Sequence, residues 1–414
     1  MPEGAAQAKS PRTIDMLAWM PDSTCLLFLA DNDLYSIAAN GKGLQYICSG
    51  IDFILPGPAG QLLAGDGKNL LGLSLLTGAT FPLSEKTPAA FNCDMPAGKG
   101  LRRASWSLLS NTAYYGSTDG YIMSYEASTG KLTAVEKGLD PQVTAVSSTG
   151  SERHERLVFW TATPTAAGQI RIRNLQPAAS SSASGSASSL SFAPALPSGR
   201  SPVWLAPNEI AYVTSTKGNH QLALAKVSPE KGAALTHQSA FAFQTIQLAA
   251  YLDPAEAAAF VSMCRPLCAP YPLYVVEAEV NKTKWYRVRV GIFKNKTGLT
   301  LALDHILPAM RTAAAWDGKY FIDTAANDFG WLCPAPDGSF LIFSLMNAVY
   351  RYNKQDQSLV CLYEPAYYAP ENKTNAILSP DGEKIAFVDE SGRLKVMSAC
   401  GDQPVTILNQ MLIH

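Results

Sequence analysis

The 414-residue chain is 47% hydrophobic and 16% charged, with 33 basic against 34 acidic residues and a formal net charge of −1. That composition supports a large buried core, excludes global disorder, and gives no field that would gather nucleic acid or an anionic bilayer. No window approaches the ~20 continuous apolar residues of a membrane-spanning helix, and "MPEGAAQAKSPR" at residues 1–12 lacks the basic and apolar regions of a secretory signal. The compartment expected from the sequence as it stands is the cytoplasm, or the periplasm or exterior if a signal has been removed.

In chain order, residues 1–12 read as a tail, and the first folded unit follows. It runs "DMLAW" from Asp15, a Pro21-Asp22 turn, "CLLFLA" from Cys25, Asn32-Asp33, "LYSIA" from Leu34, Asn40-Gly41 and "LQYIC" from Leu44. Four short alternating runs joined by turn residues describe an antiparallel meander. A degenerate copy begins near Ile54, and further units begin near Leu101, Val143, Val203, Ile246 and Phe329. "AASSSASGSASSLSFAPALPSG" from Ala178 is a low-complexity tract and reads as a flexible loop over about 178–199. "DPAEAAAFVSM" from Asp253 imitates a capped helix start, but its place in the rhythm gives a turn plus strand. The stretches "YPLYVVEAEVNKTKWYRVRVGIF" and "AAAWDGKYFID" read as extra or elongated strands.

The last unit shows the plan best: "NAILS" from Asn375, Pro380-Asp381-Gly382, "KIAFVDE" from Lys384, Ser391-Gly392, "RLKVMSA" from Arg393, Gly401-Asp402 and "PVTIL" from Pro404. Unit starts recur at spacings of roughly 37 to 58 residues with one interval of about 83. Four strands per repeat at that period is the signature of propeller blades, which stack because one thin meander cannot bury both its faces. The expected fold is all-β: a single β-propeller over 13–414 with four-stranded antiparallel blades, eight in number, with seven as the alternative. The Pro-Asp-Gly element is assigned to the tight turn between the innermost two strands of a blade, with Asp capping and Gly taking positive φ.

"LSPDGEKIAFVDESGRLKVMSACGDQPVTIL" resembles the repeat of TolB-like propellers, also found in the propeller domains of prolyl-oligopeptidase-type peptidases. The resemblance implies architecture rather than activity. Propellers of this type act as protein-docking platforms, as substrate gates, or occasionally as carbohydrate-active enzymes.

Chemistry-bearing motifs are sparse. Five histidines, at 154, 220, 237, 305 and 414, are scattered, so no metal site is expected. Gly/Ser runs that imitate a serine-nucleophile elbow fall in the low-complexity tract, and no α/β hydrolase domain follows the repeats. No phosphate loop, dinucleotide fingerprint or calcium loop appears, and no cofactor is expected. Most of the eight cysteines read as small buried hydrophobes; Cys264 and Cys268 are the one close pair, with a local disulfide as the alternative. Three Asn-Lys-Thr triplets occur at about the chance frequency and carry no argument.

What remains is position. Residues just before each innermost strand should crowd the channel mouth, which nominates Asp15, Asp52, Arg102, Arg103, Arg200, Arg311 and Asp328 as a binding ring of carboxylates and guanidiniums. Tyr114, Tyr115, Tyr367 and Tyr368 are read as packing between blades, with interface anchoring as the alternative. The expected function is a monomeric, non-enzymatic propeller that binds a protein or peptide at its channel face. The alternative is a carbohydrate-binding or lyase-like propeller. Neither nucleic acid nor membrane insertion is expected.

Overall fold

The computed structural model describes residues 13–409 apart from 58–60, 67–69, 83–103, 108–109, 117–120, 138, 148–154, 163–168, 176–195, 198, 217–218, 228–234, 242, 281–282, 294, 314–315, 325–331, 346 and 366–375. The expected tail at 1–12 and the Ser/Ala-rich tract up to residue 195 lie outside the described residues. The strands form eight four-stranded antiparallel sheets. Seven are simple meanders, over residues 14–49, 53–82, 104–137, 139–197, 199–241, 333–363 and 377–408.

The meanders start from turn chemistry the sequence advertises. In the last one, Asp381 Oδ1 accepts from the Glu383 N–H at 3.0 Å and from the Ser379 hydroxyl at 2.5 Å, and Gly382 sits at φ +79°. The sixth repeats this, with the Ser339 N–H on Asp337 Oδ1 at 3.0 Å and Gly338 at φ +69°. The first has the Thr24 N–H on Asp22 Oδ1 at 3.1 Å and uses Ser23, at φ 59°, where the others use glycine. Short side-chain acceptors two residues from the donor pin each turn, and so set the register of the flanking strands.

Each meander buries its faces against its neighbours. The first and second share Leu27, Leu34, Ile54 and Leu62. The second and third share Phe53, Leu63, Trp106 and Tyr115, and Trp106 Nε1 donates to Leu55 O at 3.3 Å. Tyr114 and Phe159 join the third to the fourth, and Val158, Ile172, Trp204 and Tyr212 join the fourth to the fifth. Tyr114 and Tyr115 are therefore packing residues. The sixth and seventh share Phe340, Ile342, Ile385 and Phe387. The seventh packs in turn on the first: Trp19 Nε1 donates to Ile377 O at 3.3 Å, the Asp381 N–H donates to Ser23 Oγ at 3.1 Å, and Trp19 and Phe28 belong to the same core as Phe387 and Met397.

The eighth sheet is built differently. Its strands, Gln244–Tyr251, Leu273–Val280, Thr283–Phe293 and Phe321–Thr324, lie in the order second, third, first, fourth, with every neighbouring pair antiparallel. Helix α1 (Pro254–Cys268) joins the first strand to the second, and α2 (Lys296–Met310) joins the third to the fourth. This βαββαβ order is that of ferredoxin-like units.

The turn-plus-strand expected from Asp253 is thus a helix. Asp253 accepts the Ala255 N–H at 2.8 Å, Pro254 occupies the first turn, and Ala257, Phe260, Val261, Cys264 and Cys268 bury one face at helical spacing. α2, which lies between the two stretches read as strands and was assigned no element, is capped by Asn295 on the Gly298 N–H at 2.9 Å and buries Leu299, Ala302, Ile306 and Met310. Cys264 and Cys268 are both free thiols on the inner face of α1, so the alternative of a disulfide is not realised.

This unit is an insert between the fifth and sixth meanders rather than a wedge separating them. The strand Gly199–Ala206 lies directly against Cys333–Pro334. Val203, Leu205 and Leu224 share a core with Leu341, Phe343 and Tyr352, and Lys354 Nζ meets Glu209 Oε2 at 2.6 Å. The insert touches this seam through Phe243, Tyr274 and Val276, with the Phe243 ring 5.3 Å from that of Tyr350. Among the described residues no helix is long and apolar enough to cross a membrane.

Candidate functional site

The insert's sheet has two unlike faces. One is sealed by the helices: Ile246, Leu273, Val288 and Val290 pack against Phe260, Ile306 and Met310. The other carries Thr245, Gln247, Tyr274, Trp285, Arg287, Arg289, Phe321 and Asp323, as the register requires: Tyr274 pairs with Arg289, Arg289 with Gln247, Gln247 with Phe321, and Thr245 with Asp323. A bulge between Gln247 and Ala249 resets the alternation so that Ala250, beside Arg287, joins this face.

The second face is dry at one end and open at the other. Tyr274 is buried against the meanders, its hydroxyl donating to Thr245 Oγ1 at 2.9 Å, and Thr245 Oγ1 donates to Val290 O at 3.1 Å. Burial pushes the Tyr274 hydroxyl up to about 12, with the Thr245 hydrogen bond and the Arg289 charge opposing it. Toward the open end, Phe321 is 63% exposed and Trp285 is half-buried. Between the two ends, Arg289 Nη2 and Arg287 Nη1 both reach Asp323 Oδ2, at 2.5 and 3.4 Å. An aromatic surface flanking charged hydrogen-bonding groups can hold the apolar face of a polar, extended ligand while orienting its substituents.

The described residues nominated from the sequence fall on separate elements. Asp15 lies on the first strand of the first meander; burial holds its carboxyl above the ordinary range, with the Asp31 N–H opposing and the Asp31 charge adding. Asp52 stands just before the first strand of the second meander, its N–H donating to Gly65 O at 3.0 Å. Arg200 is on the first strand of the fifth. Arg311 opens no innermost strand: it is the C-cap of α2, in the insert, because the run before "KYFID" ends a helix. Arg102, Arg103, Asp328, Tyr367 and Tyr368 lie outside the described residues. Among the described residues no three His, Cys, Asp or Glu side chains gather as a metal site.

Sequence reasoning passed over Arg287, Arg289 and Asp323. The available signal was the Trp-x-Arg-x-Arg alternation over 285–289, which puts an indole and two guanidiniums on one face of a strand.

Residues 243–306 match the family model of the SPOR domain, within the insert from its first strand into α2. None of the curated proteins matches the sequence. Among solved structures, the tricorn protease aligns at 9% identity and TM-score 0.46, covering 98% of this chain and 37% of that one, so the chain spans little more than a third of its length. A protein of Agrobacterium tumefaciens assigned as TolB aligns at 14% identity and TM-score 0.35, covering 56% of this chain and 82% of the other. The C-terminal WD40 domain of Sif2 aligns at 11% identity and TM-score 0.42, covering 95% and 83%. At such identities and scores the likeness adds nothing to what the chain's own sheets show: a mostly β, propeller-like succession of four-stranded meanders that carries one βαββαβ unit.

Proposed function

We propose that the seven meanders close into a seven-bladed propeller that serves as a scaffold, and that the insert is a saccharide-binding module directed at peptidoglycan. The observation that carries the reading is a coincidence of position: the stretch matching the SPOR domain, 243–306, falls on the unit that departs from the meander plan, covering its first three strands, α1 and most of α2. Peptidoglycan binding is the activity associated with that domain. The half-open face with Trp285, Arg287 and Phe321 supports it, since sugar rings offer apolar faces to aromatic side chains and hydroxyls to charged donors. The direct packing of the fifth meander on the sixth, and of the seventh on the first, supports the seven-bladed ring over eight blades. In this reading the protein works in the cell envelope, and Asp15, Asp52 and Arg200 belong to a separate docking surface on the scaffold.

Sedimentation of the purified full-length chain with isolated sacculi tests the proposal. The chain is expected in the pellet, and Trp285→Ala is expected to weaken capture roughly tenfold, as loss of a central aromatic contact does. A chain that stays in the supernatant at every sacculus concentration ends this reading.

A further inference from the structure

The open face of the insert holds a cation that its own chain does not satisfy. Arg289 is 2% exposed, and its Nε and Nη1 atoms are buried with no hydrogen-bond partner. Its Nη2 shares Asp323 Oδ2 with Arg287, so two guanidiniums draw on one carboxylate, and among these three side chains one positive charge is left over. Arginine does not relieve this by losing its proton. Buried donors without acceptors are costly and rare. Arg287 and Asp323, 28% and 27% exposed, are its partly exposed neighbours in this cluster, with Trp285 two residues from Arg287 along the same strand and Phe321 two strands away on the same face.

Resting on the saccharide-binding reading, we infer that the missing acceptor is a carboxylate on the ligand. The insert takes acidic sugar strands: a carboxylate enters beside Arg287 and Asp323 and accepts from Arg289, while ring faces lie over Phe321 and Trp285. An uncharged amide or hydroxyl would supply a hydrogen bond but leave the excess charge unmet. A carboxylate does both, through the stronger charge-assisted bond.

Calorimetric titration of the full-length chain with three oligosaccharides of equal length tests this. They are a hyaluronan fragment, in which N-acetylglucosamine alternates with glucuronate, the same fragment with its carboxyls reduced to alcohols, and a neutral chitin fragment. The hyaluronan fragment is expected to bind about tenfold more tightly than either of the others, as one charge-assisted contact provides. Arg287→Gln, at the mouth, should bring the three affinities together without requiring that the buried Arg289 be replaced. Equal binding of the acidic and carboxyl-reduced fragments overturns the inference and leaves saccharide binding intact. No binding of any fragment, together with failure to sediment with sacculi, overturns both.

Discussion

The last meander, residues 377–408, and the insert, residues 244–324, are both four-stranded sheets, held together over different distances along the chain. In the meander, the groups that shape each hairpin are close neighbours: Asp381 holds Ser379 and Glu383, and Asp389 holds Ser391 and Arg393. In the insert, the first strand pairs with a strand about 40 residues on and with another about 75 residues on, across two helices. One sheet is specified turn by turn; the other joins strands distant along the chain and has one face covered by both helices. The difference predicts where each is vulnerable.

The largest effect is expected from the meander's densest polar turn. Asp389 is fully buried and accepts the Ser391 and Arg393 N–H groups at 2.9 Å, Arg393 Nε at 2.8 Å and Lys395 Nζ at 3.1 Å. Burial alone would raise its carboxyl; the Arg393 N–H, the Arg393 side chain and Lys395 outweigh it and hold the group below the usual range. Asp389→Asn turns an acceptor-only group into one that also presents N–H toward two cations, at a cost of about 3 kcal/mol. A carboxyl with a lowered folded-state pKa stabilises fully above its unfolded value of about 3.9 and loses that contribution as pH falls through the folded one. The penalty, read from denaturant midpoints, should be complete at pH 7 and shrink below about pH 4. A penalty that does not change with pH would contradict the electrostatic account.

The same contrast explains what could be read in advance. The Pro-Asp-Gly turns carry their own donors and acceptors within five residues, so the hairpins around residues 333–345 and 377–388 are visible in the sequence. α1 was also written there, in the Asp253 cap and the spacing from Ala257 to Cys268, but the expected rhythm of strands overrode a helical period. The face of the insert was legible only in part. Alternation puts Arg287 and Arg289 together, whereas the carboxylate they share arrives from 34 residues beyond Arg289, through a sheet order that no local pattern encodes. The channel-mouth nominations assumed that each strand run opens a blade, and Arg311 shows how an insert breaks that assumption.

A smaller effect sharpens where the insert sits. Gly338 and Gly382 occupy equivalent turns at positive φ, and alanine at either should cost about 1–2 kcal/mol in backbone strain. The two differ in surroundings. A Cβ at Gly338 would fall 2.1 Å from the Leu205 carbonyl oxygen of the fifth meander, whereas one at Gly382 would meet the Pro336 side chain at 2.9 Å. Backbone yields less than a ring edge, so Gly338→Ala should be the more destabilising by about 1 kcal/mol or more. Equal penalties would mean that the fifth and sixth meanders do not press together as described, and the insert would regain the place of a wedge.

The smallest effect asks whether the insert opens by itself. Asp253→Ala removes the cap of α1 and should cost about 1 kcal/mol, confined to the insert if the meanders hold without it. Cys264 and Cys268 report that opening. Burial, with Cys264 adding to it, pushes the Cys268 thiol up to about 12, so at neutral pH both react with a thiol reagent only when α1 lifts from the sheet. Cys333, buried in the sixth meander with its Sγ on Ala376 O at 3.6 Å, reports the meanders. Asp253→Ala should speed labelling of Cys264 and Cys268 about fivefold, the factor that 1 kcal/mol represents, and leave Cys333 unchanged. If Cys333 accelerates in step, the two sheet types unfold as one unit, and the distinction between turn-specified meanders and helix-covered insert holds for their architecture but not for their stability.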